Sequence, residues 1–115
     1  MTEFRRGDVV LVAFTDETGE KRRPALVLSS GRYNSSRREA IIAPITSQTE
    51  NAAFGDHIIG DWQAAGLLFP SVATGILSTV KEEAIVKKLG TISFPDLQAI
   101  QNNIHDALQL GMTIA

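Results

Sequence analysis

The sequence predicts a small, mainly β domain, a mostly antiparallel barrel with one α-helix at its C-terminal end. Three observations carry that expectation. Short apolar runs, several rich in β-branched residues, recur through the first 80 residues, separated by polar or glycine-bearing segments. A single stretch near the C-terminus spaces its apolar residues at helical intervals. The chain has 115 residues, which suits one domain, taken as 1–115, and leaves little room for a second. A closed barrel also answers the edge problem that many short strands create.

Gly7 and Asp8 open the first run, VVLVAF (9–14), whose length and branching favour a strand. The segment DETGEKRR (16–23) reads as a polar loop with Gly19 near its tip. PALVLSS (24–30) is the second strand, and Pro24, having no N–H to donate, belongs at its start or on an edge. GRYNSSRRE (31–39) is a loop or short helical turn, and AIIAPITS (40–47) is the third strand. A fourth lies within GDHIIGDW (55–62), and WQAAG forms a turn closed by Gly66. FPSVATGILSTV (69–80) holds one or two further strands, broken near Gly75. The helix is placed at 94–110, with Leu97, Ile100, Ile104 and Leu108 as its apolar stripe. Ser93 and Asp96 suit a capping box, Pro95 suits a first turn, and Gly111 is a stop signal.

Composition bounds the function. With no cysteine, disulfides and thiolate metal sites are excluded. No apolar run reaches the roughly 18 residues of a membrane span, and the charged N-terminus does not suit a signal peptide. The expectation is a soluble cytoplasmic chain without a membrane partner. The net charge of −2 gives no general affinity for nucleic acid. Its distribution is uneven: Lys21, Arg22, Arg23, Arg32, Arg37 and Arg38 lie in a segment that holds no acidic residue. Such a patch serves phosphates or simply meets solvent.

Arg23 is the first chemical candidate. Pro24 restricts the backbone of the residue before it, so Arg23 offers its donor fork from a preset position. The alternative role is to cover the barrel end with its methylene stem. Thr46, Ser47 and Gln48 close the third apolar run, where their side chains hydrogen-bond a ligand or the following turn. If strands two and three pair antiparallel, Arg23 and Thr46 converge. His57 is a candidate acid or base, with a structural role as the alternative. His105 falls off the apolar stripe of the helix and reads as inert. Trp62 and Phe69 read as core or dimer-interface residues in preference to base-stacking ones. No metal-ligand spacing, P-loop, dinucleotide fingerprint or nucleophile elbow appears.

RGDVVLV (6–12), KRRPALVLSS (21–30), APITSQ (43–48), GLLFPSV (66–72) and LGTISFPDL (89–97) stand in an order that resembles the MazF/PemK toxins of type II toxin–antitoxin systems. The resemblance spans roughly 6 to 110. It implies an SH3-like β-barrel with a C-terminal helix, of the MazF/PemK/CcdB-like kind, usually a homodimer. It implies a metal-independent endoribonuclease that cuts single-stranded mRNA at short sequences, needs no cofactor and is neutralised by a cognate antitoxin. Arg23 and Thr46 fall on the family's catalytic positions. Ser47 and His57 stand as supporting residues, and Lys21, Arg22, Arg32, Arg37, Arg38 and Gln48 as the RNA grip. One departure is visible: 70–80 carries no charged residue, where many relatives place polar ones, so no carboxylate base comes from that strand. The alternatives are a CcdB-like gyrase poison, and a catalytically silent relative that still binds antitoxin. The segment 61–70 is a candidate interface.

Overall fold

The computed structural model describes residues 4–111, and the element order within them is β1 (Asp8–Asp16), β2 (Gly19–Val27), α1 (Gly31–Arg37), β3 (Glu39–Thr46), β4 (His57–Ile58), β5 (Val72–Ala73), β6 (Ser78–Lys81), a 3-10 turn (Glu82–Ala84), β7 (Ile85–Thr91) and α2 (Phe94–Ala107). All strand pairs are antiparallel. The sheet runs β4-β5-β3-β2-β1-β7, and β6 also pairs with β3. The mainly β architecture with a C-terminal helix is as the sequence predicts.

The central strands are apolar where they cross the middle of the sheet, at Val9–Val12, Ala25–Val27 and Ala40–Ile45, because both faces are covered there. Val9, Leu26, Ala43 and Ile45 point to one side, where Ile59, Ala65, Leu67, Ile92 and Ile100 complete a core. Val10, Val12, Ala25, Val27, Ala40 and Ile42 point to the other, against Phe4 and Ile85. Helix α2 covers the first core through Leu97, Ile100 and Ile104. Ser93 caps it by accepting the Asp96 N–H.

The sheet curls into a barrel-like form, and the segment after β4 comes against β7 backbone to backbone. A Cβ at Gly90 would stand 2.5 Å from the Ala65 carbonyl oxygen, and one at Gly66 would collide with the Leu89 carbonyl. Only glycine permits that approach, and Gly66 also holds a φ of +83°.

Several boundaries differ from expectation. The polar segment 16–23 is strand on both sides of a tight turn at Glu17 and Thr18, so Arg23 stands inside β2, opposite Val12. Leu28, Ser29 and Ser30 lie outside β2, where Ser30 caps α1. The fourth strand shrinks to His57–Ile58. Helix α2 stops at Ala107, two residues before a left-handed Gln109, and Gly111, also left-handed, lies beyond that stop. Leu108, placed on the apolar stripe by spacing, is therefore 56% exposed. Strand β7 has no counterpart in the sequence reading: its two lysines and Gly90 hide a strand that pairs only with β1.

Candidate functional site

Where β2 and β3 part, a cavity opens. Their register pairs Val27 with Ile42, Leu26 with Ala43 and Ala25 with Pro44, then stops. Pro24 and Pro44 stand at that end, and neither has an N–H to continue the ladder. The Pro44 carbonyl turns instead to Thr74, accepting its amide at 2.9 Å and its hydroxyl at 2.8 Å. β3 then pairs with β5, Ile45 opposite Ala73 and Thr46 opposite Val72. Continuing the β2–β3 register by two residues sets Arg23 opposite Thr46 across the gap.

The cavity beside this gap holds about 570 Å³. Arg23, Pro24 and Leu11 form one wall, and Ile45, Thr46, Ser47 and Gln48 a second. Gly66–Phe69, Ser71, Lys87 and Leu89 complete it. The structure thus brings Arg23, Thr46, Ser47 and Gln48 together, four residues singled out from sequence. The Thr46 hydroxyl oxygen accepts the Gln48 N–H at 3.2 Å, which leaves its own hydrogen to donate. Arg23 has no ion-pair partner among the described residues. Among the described residues, Arg23 and Lys87 are the only charged ones lining the cavity, and both are cations. An anion entering it meets no carboxylate to repel it.

His57 is not in this wall. It sits on β4 with Nε2 2.8 Å from the Asp96 carboxylate. Asp96 is buried in the first turn of α2. Burial alone would raise its carboxyl. Hydrogen bonds from His57, the Gly60 and Asp61 amides and the Ser93 hydroxyl outweigh that and hold it at about 2. This cluster ties the N-terminus of α2 to β4 and the loop after it.

The remaining basic residues are dispersed. Lys21 pairs with Asp16 at 3.5 Å and Arg22 with Glu20 at 3.2 Å on the β1–β2 hairpin. Arg37 pairs with Glu39 at 2.7 Å and lies over the Tyr33 ring. Arg32 and Arg37 are on α1 and Arg38 caps it. α1 joins the other ends of β2 and β3, so all three arginines stand away from the cavity. The stretch lacks carboxylates, yet Glu20 and Glu39 at its two ends and Asp16 across the β1–β2 turn pair with its cations.

Two parts of the site escaped the sequence reading. Lys87 reaches the cavity only because β7 pairs with β1, and nothing in VKKLG signals that. Phe69 is 62% exposed at the rim and is not core, whereas Trp62 does pack on the first core cluster. Among the described residues no group of three or more His, Asp or Glu side chains could hold a metal ion. Among the same residues no helix is long and apolar enough to cross a membrane.

Residues 5–108 match the family model described as PemK-like, MazF-like toxin of type II toxin–antitoxin system. Comparison with curated protein sequences gives no match. The fold is similar to that of a MazE-MazF structure from Deinococcus radiodurans, with TM-score 0.80 and 20% identity, covering 96% of this chain and 100% of that one. An endoribonuclease in complex with its cognate antitoxin, from a mycobacterial species, gives TM-score 0.75 and 19% identity over 96% and 99% of the two chains. The Mycobacterium tuberculosis toxin MazF-mt6 gives 0.74 and 20% over 91% and 99%. At these identities the likeness speaks to the fold.

Proposed function

The chain belongs to the PemK-like, MazF-like toxin family of type II toxin–antitoxin systems, and from that premise we propose that it is an endoribonuclease that cuts single-stranded mRNA at short sequences without a metal ion. One observation carries the reading: Arg23 and Thr46 line one cavity, and among the described residues its charged lining groups are both cations.

The RNA supplies its own nucleophile. The 2′-hydroxyl passes its proton to solvent water as its oxygen bonds to the neighbouring phosphorus, the bond from phosphorus to the 5′-oxygen breaks, and the leaving oxygen takes a proton from water. The products are a 2′,3′-cyclic phosphate and a 5′-hydroxyl. Arg23 stays ionised and grips two phosphoryl oxygens as charge builds on them. Thr46 donates to the same phosphate and fixes its orientation. Ser47 and Gln48 adjoin it on the same wall. Among the described residues no carboxylate or imidazole lines the cavity, and His57 is engaged by Asp96, so we assign the rate enhancement chiefly to charge stabilisation. The paired hairpin residues Lys21 and Arg22, and Arg32, Arg37 and Arg38 on the α1 side, are proposed as further RNA contacts on longer substrates.

A cognate antitoxin is the proposed protein partner. It would be an acidic segment, disordered before binding, that folds over the 21–38 surface and blocks the cavity. A homodimer acting in the cytoplasm completes the proposal.

The test is cleavage of a long unstructured RNA by the purified protein in EDTA, with the ends mapped. Wild-type protein should leave cyclic phosphates and 5′-hydroxyls. Arg23→Ala should lose at least about 10²–10³ in rate, the usual cost of removing one preorganised donor, with an unchanged thermal melt. Intact RNA alongside inhibited DNA supercoiling would instead support a gyrase poison. Wild-type rates in Arg23→Ala would remove Arg23 from the mechanism.

A further inference from the structure

The cavity floor is one row of residues read across four strands. Lys87 of β7 pairs with Leu11 of β1, and Leu11 with Pro24 of β2. The continued β2–β3 register sets Ile45 beyond Pro24. Paired residues on antiparallel strands share a face, and strands lie about 4.8 Å apart, so Lys87 stands roughly 10 Å from Pro24 across the floor. Lys87 is exposed and has no ion-pair partner among the described residues. It is therefore a second anion anchor, set across Leu11 from the strand that carries Arg23.

A phosphate fills only part of a 570 Å³ space. Leu11, Ile45, Leu67 and Leu89 wall the rest with apolar surface, which suits a flat apolar group. Phe69 stands at the rim, open to solvent. Its backbone is preset: Pro70 follows it, and the Ser71 hydroxyl donates to the Phe69 carbonyl at 2.7 Å. An aromatic on a restrained backbone, lining the same cavity as two cations, combines the parts that single-stranded nucleic acid requires, a stacking face and a backbone grip.

We propose that the cavity is a nucleotide subsite in which Phe69 stacks one unpaired base and Lys87 holds the phosphate on the side away from Arg23. The assignment rests on the ribonuclease reading above. Phe69 is then a specificity-determining residue and Lys87 a positioning one.

The probe is a fluorescent 2′-O-methyl hexanucleotide of mixed sequence, which lacks the nucleophile and so binds without being cut. Binding is read by anisotropy, and each variant is checked by thermal melt. Phe69→Ala should weaken binding about tenfold, within the range for loss of one stacked base, while Phe69→Trp should stay close to wild type. Lys87→Gln should weaken binding and flatten the salt dependence by about 0.7 in log–log slope, the value for one phosphate contact on a single strand. The cut sites on a long RNA should broaden in Phe69→Ala. A folded variant that binds and cuts as wild type does removes that residue from the subsite. Phe69→Ala protein that keeps its affinity but loses self-association in sedimentation places Phe69 in a protein interface and overturns the assignment. Wild-type protein that neither binds nor cuts RNA sinks the ribonuclease reading together with this one. Wild-type protein that cuts while both variants match it sinks the subsite alone.

Discussion

Asp96 shows what one buried carboxylate organises. The spacing of Ser93 and Asp96 announces a helix cap and no more. His57, Gly60 and Asp61 lie 35 to 39 residues away in sequence, so their convergence on the same carboxylate is a product of the fold. A carboxyl lowered from 3.8 to about 2 contributes stability when ionised. The contribution is complete above the unfolded value and fades as pH falls from about 4 toward 2. The shift corresponds to about 2 kcal/mol. Asp96→Asn should therefore lose about that much stability relative to wild type at pH 6, and the gap should narrow by pH 2.5. Urea unfolding at the two pH values reads it. A gap of constant size would show that the carboxylate's charge is not what holds the cluster. Because His57 belongs to this cluster and not to the cavity, its substitution should move the melting curve more than the cleavage rate.

At the scale of elements, the strands buried on both faces were legible and the half-exposed ones were not. β1, β2 and β3 carry apolar runs because two cores lie against them. The outer ends of β1 and β2, Thr15–Asp16 and Gly19–Arg23, are exposed on both faces, and their charged residues read as loop. β7 is obscured for the same reason. The meeting of Arg23 with Thr46 was readable as a condition on antiparallel pairing, since it needs only register arithmetic between two recognisable strands. Lys87 needed a third strand that the pattern concealed. One close joint between elements is the glycine pair that lets the segment after β4 meet β7. Gly90→Ala should destabilise the protein by about 1–3 kcal/mol, the usual cost of overpacking, because the colliding atoms are backbone. Cleavage should fall with it, since Gly66, Leu67 and Leu89 line the cavity. Unchanged urea midpoints in Gly90→Ala would mean that the joint yields freely.

For the molecule as a whole, the question is how an acidic protein holds a polyanion. Eleven basic residues face thirteen acidic ones. Three of the six basic residues in 21–38 are matched by carboxylates at flanking positions, whereas Arg23, Arg32 and Arg38, like Lys87, have no ion-pair partner among the described residues. Exposed ion pairs contribute little to stability, so phosphates can displace them, but each displacement returns a carboxylate to repel the RNA. The cavity pair pays no such penalty, and short RNA should engage it first. Each phosphate contact on a single strand contributes about −0.7 to the slope of log affinity against log salt. Two contacts give about −1.4, whereas adding Lys21, Arg22, Arg32, Arg37 and Arg38 would give about −5. A hexanucleotide titrated between low and moderate salt should follow the shallow line. A steep line with so short a probe would place the dispersed basic residues in the primary contact and demote the cavity to one part of a larger track.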